Sequence, residues 1–133
     1  MCLGFVVVAC GSTGGSSASG TFSGDPVADV MSENGTVHMT ARTLPNPIER
    51  GEVSLQVKAL DTKGVALDGV TMSAVPWMPA MGHGTSVVPT VTPKGNGIYE
   101  LTNVDLFMPG HWEVRITMSG AVTDKSTFAF DVP

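Results

Sequence analysis

Three methionines and two histidines stand at places in this chain where core packing gives no ready reason for them. Met78, Met81 and His83 lie in Val75-Pro-Trp-Met-Pro-Ala-Met-Gly-His-Gly84, and Met108 and His111 lie in Leu106-Phe-Met-Pro-Gly-His-Trp112. The prolines and glycines of both segments argue against a strand centre or a helix, so both read as loops at strand ends. Thioether sulfur and imidazole nitrogen together suit a soft cation, above all Cu(I), because a thioether is a polarisable, uncharged donor that poorly stabilises Zn²⁺, Mg²⁺ or Ca²⁺. A catalytic zinc would need more closely grouped His and Glu ligands than three scattered histidines supply. If the two loops meet at one end of the fold, Met78, Met81, His83, Met108 and His111 face a common space, with Trp77 and Trp112 beside them to limit solvent access.

A second reading of the same residues is an apolar plug over the end of the fold, Trp77 and the methionines packing on one another and His83 left in solvent. His111 precedes a core tryptophan and reads as either a ligand or a solvated strand start. His38 sits on an outward strand position and reads as a surface residue.

The elements that would carry these loops are strands. Val37, Met39 and Ala41 alternate with polar residues; so do Val53, Leu55, Val57 and Ala59, then Val70, Met72 and Ala74. Further extended pieces run over Val87–Val91, Ile98–Thr102, Val104–Phe107, Trp112–Met118 and Phe128–Val132. Asp61-Thr-Lys-Gly64 and Lys94-Gly-Asn-Gly97 have turn chemistry, the latter that of a tight hairpin. No window sustains a helical period. About seven short strands separated by regular turn signals predict an all-β, immunoglobulin-like antiparallel sandwich, without the cysteine pair of true immunoglobulin domains. In this register Met39, Met72 and Met118 fall with the aliphatic residues and serve as core filler.

Composition narrows the function further. The 133 residues are 42% hydrophobic and only 14% charged, with a net charge of −5. The few Lys and Arg are scattered singly, which excludes the basic stripe that nucleic acid requires. No nucleophile, carboxylate pair or cofactor motif can be assembled, so the chain is not expected to be an enzyme.

Residues 1–9 carry a short apolar run, and Val7-Val-Ala-Cys10 is similar to the end of a bacterial lipoprotein signal, with Cys10 as the lipidated residue. The run is too short to cross a bilayer as a helix. Residues 10–34, rich in Gly and Ser, read as a flexible tether, and residues 35–133 as the folded domain. On that reading the mature domain has no thiol, hence no disulfide and no blue-copper site, which needs a thiolate.

Pro76-Trp-Met-Pro-Ala-Met-Gly-His-Gly84, Pro89-x-Val91, Gly95-x-Gly97-x-Tyr99, Phe107-Met-Pro-Gly-x-Trp112 and the earlier Gly51-x-Val-x-Leu-x-Val57 together resemble the YtkA-like domain family, over roughly Asn46 to Val132. The family is related to FixH-like domains. The resemblance implies an immunoglobulin-like sandwich on an exported or membrane-anchored bacterial protein, and a place near copper handling and cytochrome oxidase assembly. Carried over by motif, the implied copper ligands are Met78, Met81 and His83, with Met108 in the second motif; His111 occupies a variable place there. The expectation is therefore a lipid-anchored envelope domain that carries or buffers Cu(I), attached to the membrane only through Cys10, with an envelope copper-handling or oxidase-assembly protein as partner. The competing expectation is a metal-free interaction module whose Met/Trp loop is an apolar contact patch.

Overall fold

A computed structural model describes residues 21–133; the lipoprotein reading of Cys10 and the residues before it lies outside this range. Nine strands follow in order: β1 (Ala28–Met31), β2 (His38–Leu44), β3 (Gly51–Leu60), β4 (Val70–Met78), β5 (His83–Gly84), β6 (Thr90–Gly95), β7 (Ile98–Leu106), β8 (Gly110–Gly120) and β9 (Asp124–Val132). All pairings are antiparallel, and the described residues contain no helix. One sheet has the order β1-β2-β3-β7-β6 and the other β5-β4-β8-β9. With β2, β3, β7 and β6 as strands A, B, E and D, and β4, β8 and β9 as C, F and G, the two sheets reproduce the ABED and CFG pattern of an immunoglobulin sandwich. β1 and β5 are extra edge strands.

The period-two patterns of the sequence become the two inner faces. Val53, Leu55, Val57 and Ala59 of β3 face Trp112, Val114, Ile116 and Met118 of β8 across one apolar core, and Phe128, Phe130 and Val132 of β9 close its side. Met39, Met72 and Met118 are buried in it, in the places the alternation assigned them. Tyr99 of β7 is also fully buried. Its hydroxyl donates to the Leu67 carbonyl at 2.8 Å and accepts from the Val70 N–H at 3.1 Å, fixing the crossing from β3 to β4.

The strand read over Val87–Val91 lies instead at Thr90–Gly95, and three larger differences from the sequence reading follow. Ile98–Thr102 and Val104–Phe107 are not separate pieces but one strand, β7. Asn103 takes a left-handed conformation, φ 58°, and the pairing with β3 shifts register between Val53 and Leu55. This bulge moves the buried set from Tyr99 and Leu101 to Val104 and Leu106, which broke the alternation. Secondly, residues read as tether contain β1, which pairs Ala28–Met31 with Ala41–His38. Four residues are too few to show a period. The third difference is that β4 runs through Pro76 to Met78. Over Pro76 it has β8 on one side and no strand on the other, an edge setting in which a residue without an N–H can sit.

At the end of the molecule carrying the β8–β9 turn, Ser32 and Asp124 lock the first strands to the last. The Ser32 hydroxyl accepts from the N–H groups of Thr36 and Val37 at 3.1 and 2.9 Å. The Asp124 carboxylate accepts from the Thr36 hydroxyl at 2.6 Å and from the N–H groups of Asn34 and Lys125 at 3.2 and 2.8 Å. The Thr36 bond is the strongest influence on this carboxyl; opposed by burial and reinforced by Ser32 and the two N–H donors, it holds the group far below the usual carboxylate range.

Candidate functional site

The antiparallel course of the strands brings the end of β4 and the start of β8 to the same end of the sandwich, so the two Met/His segments do meet. The chain leaves β4 at Met78 and returns as β5 through a turn over Pro79–Gly82. The Met78 carbonyl accepts from the N–H groups of Met81 and Gly82 at 3.2 and 3.0 Å, and Gly82 has φ 64°. Met81 sits in this turn and is 54% exposed.

β5 pairs with β4 only at Trp77–Gly84 and Met78–His83. Residues opposite one another in an antiparallel pair share a face, so His83 lies on the inner side with Met78. His83 is half-buried, and its ring stacks on Phe107 with centroids 6.1 Å apart. Phe107 meets Trp112 edge-on at 5.6 Å, and the buried Trp112 donates its indole N–H to the Met108 carbonyl at 2.9 Å, closing the loop between β7 and β8. Met108 is half-buried against the core. Gly110 completes the neighbourhood: a Cβ there would lie 2.6 Å from the Met78 methyl. His83 Nδ1 lies 3.2 Å from the Gly84 carbonyl, which can only accept, so Nδ1 is the donor there and Nε2 carries the lone pair of the neutral ring.

The structure separates the seven residues proposed from sequence. Met78, His83, Met108 and Trp112 gather on the inner side of one end, and Met81 stands at the adjoining turn. Met78 is not a loop residue; it ends a strand and is 4% exposed, packed into the core like the other inward methionines. Trp77 and His111 belong to the opposite face. Trp77 pairs with Glu113 and stacks under the Arg115 guanidinium, 5.1 Å from the ring centre, on the outside of the β4–β8 sheet. It lines an outer groove of ≈ 660 Å³ with Glu33, Glu113 and Lys125, so it does not shield the methionine sulfurs. His111 pairs across to Asp131, its Nδ1 2.8 Å from the carboxylate, beside the inward Trp112 and therefore pointing outward. Phe107, which forms the wall behind His83, reads from sequence only as the end of a strand; its place inside Phe-Met-Pro-Gly is the signal that marks it.

Among the described residues no three of His, Cys, Asp and Glu gather to hold a metal ion. What chemistry this end offers therefore rests on sulfur and one imidazole, a soft and uncharged donor set.

The YtkA-like family model matches residues 31–117, a span that contains all of these side chains. The chain belongs to the YtkA-like family. No curated protein matches it. Among solved structures, the crystal structure of the Lin-41 filamin domain aligns with a TM-score of 0.44 and 19% identity, covering 70% of this chain and 91% of that one. The match to the YtkA-like family runs from the last residue of β1 into β8, so it takes in β4, β5 and the Met-Pro-Gly loop together.

Proposed function

We propose that this YtkA-like domain binds Cu(I) reversibly at the end of the sandwich, through the Met78 thioether and His83 Nε2, with Met81 or Met108 supplying a further sulfur. The observation that carries the reading is the direct pairing of Met78 with His83 on the inner face, together with the Nδ1 contact to the Gly84 carbonyl, which turns Nε2 of the neutral ring to ligation. Phe107 and Trp112 form an aromatic wall behind the imidazole, which limits water. Met81, in the adjoining turn, is exposed and within reach of an incoming ion. Methionine needs no deprotonation before ligating, so binding of this kind is reversible without proton exchange at the sulfur. The role is that of a carrier or buffer in the bacterial cell envelope, tethered through a lipid on Cys10 and exchanging copper with an envelope copper-handling or oxidase-assembly protein. No turnover is involved.

The test is competition with a chromogenic Cu(I) chelator, using the reduced protein. The wild type withdraws copper from the chelator, and Met78→Leu and His83→Ala each weaken binding at least tenfold; His111→Ala changes nothing. Leucine keeps the volume of methionine at a cost below about 1.5 kcal/mol, so the fold survives. Failure of the wild type to compete, or indifference to both substitutions, rejects the reading.

One observation favours a second reading, a metal-free interaction module. Met81, Val87, Val88 and Phe107 are exposed apolar residues, and Thr85 and Asp105 tie their two segments together at 3.5 Å. This patch is a contact surface for an envelope partner if the copper titration fails.

A further inference from the structure

A second Met/His pair lies at the other end of the sandwich, on the outer face of the β1–β2 edge. Met31 and His38 are directly opposite one another in the β1–β2 ladder, so their side chains leave the same face. Cβ atoms of such a pair stand about 4.5–5.5 Å apart, a spacing from which a thioether and an imidazole reach one ion. Met31 is 54% exposed, although it sits in a strand. Asp29, diagonal to His38 on the same face, takes the proton of His38 Nε2 as acceptor, and a carboxylate only accepts. In its neutral form the ring presents Nδ1 as its lone pair, held in orientation by the carboxylate behind it, the arrangement commonly found behind metal-bound histidines. Met31, His38 and Asp29 line an open recess of ≈ 450 Å³ with Asp61. Asp61 is already committed to its own loop, accepting from the N–H groups of Lys63 and Val65 at 2.8 and 2.9 Å.

We propose that Met31 and His38 form a separate surface site for a soft monovalent cation, Cu(I) or its closed-shell counterpart Ag(I). The donor set decides the class of ion. His and Asp alone do not make up a three-ligand cage here, so Zn²⁺ lacks its usual coordination, whereas Cu(I) and Ag(I) are satisfied by one sulfur and one nitrogen. The two acidic side chains around the recess favour any cation electrostatically. Being open and two-ligand, the site exchanges its ion readily, as a place of first capture would.

The site rests on residues remote from Met78 and His83, so it can be tested with that end disabled. The full chain carrying Met78→Leu, Met81→Leu and His83→Ala is titrated with Ag(I), following the methionine methyl and histidine ring signals by NMR. The expected result is saturable, one-to-one movement of the Met31 methyl and the His38 ring, weakened at least tenfold by Met31→Leu and by His38→Gln. Both substitutions fall at accessible positions and leave the core untouched. Zn²⁺ at the same concentration should leave the Met31 methyl in place. Absence of movement at Met31 and His38, a titration indifferent to Met31→Leu and His38→Gln, or equal binding of Zn²⁺ overturns the proposal. Movement at Met31 and His38 in the wild type, with none at Met78 and His83, upholds it while rejecting the copper site at the other end.

Discussion

The placement of His83 depends on a glycine that follows it. A Cβ on Gly84 would lie 2.4 Å from the Pro76 carbonyl oxygen, a backbone atom that cannot swing aside. Gly84→Ala should therefore push β5 off β4, costing about 1–3 kcal/mol, a loss of several degrees in Tm, and displacing the His83 ring from Phe107. Thermal denaturation and the ring shifts of His83 check both effects; an unchanged Tm with an unmoved ring would show that β5 does not hold the histidine. At this scale the sequence was partly legible. The parity that puts Trp112 inward with Val114 and Ile116 puts His111 outward, and of its two readings, ligand or solvated strand start, the structure has the solvated one. Trp77 was hidden by its neighbour. Pro76 reads as a break in sequence, but an edge strand with one open side accepts it, and once β4 extends to Met78 its alternation turns Trp77 outward.

Among the elements, those with enough residues to show a period were legible, and the short or bulged ones were not. β2, β3, β8 and β9 display their buried faces plainly. β1 and β5 have too few residues, and β7 changes phase at Asn103, where one left-handed residue transfers the apolar set to the other parity. The hairpin between β6 and β7 was legible because Asn96 and Gly97, at φ 54° and 72°, have the positive angles that Asn-Gly turns supply. The junction of β1 and β2 with β9 was not foreseen, since it joins Ser32, Asn34 and Thr36 to Asp124 across most of the chain. Its energetics have a definite sign. The Asp124 carboxyl titrates lower in the folded state than in the unfolded chain, where its pKa is about 3.9, so its contribution is complete above that value and is lost as pH falls through the folded one. Tm should hold steady from neutral pH to about pH 5 and then decline on further acidification, with a shallower decline in Asp124→Asn. Equal acid profiles for the two proteins would show that this carboxylate is not what ties the ends together.

For the molecule as a whole, an immunoglobulin-like sandwich of the YtkA-like family gathers Met78, Met81, His83 and Met108 at one end, where turns between strands are free to carry side chains the core does not need. The sandwich class followed from hydrophobic alternation and turn signals together. The grouping of Met78 with His83 followed from motif, while its geometry required the register of β4, β5 and β8, which no local pattern encodes. On the proposed function, sulfur and one imidazole nitrogen at this end bind Cu(I). X-ray absorption at the copper edge of the Cu(I)-loaded protein reads the ligands themselves. A shell of sulfur with one imidazole nitrogen, losing sulfur in Met78→Leu and the imidazole signature in His83→Ala, is the expected result. A shell of oxygen and nitrogen alone, or a spectrum unchanged by both substitutions, would contradict it.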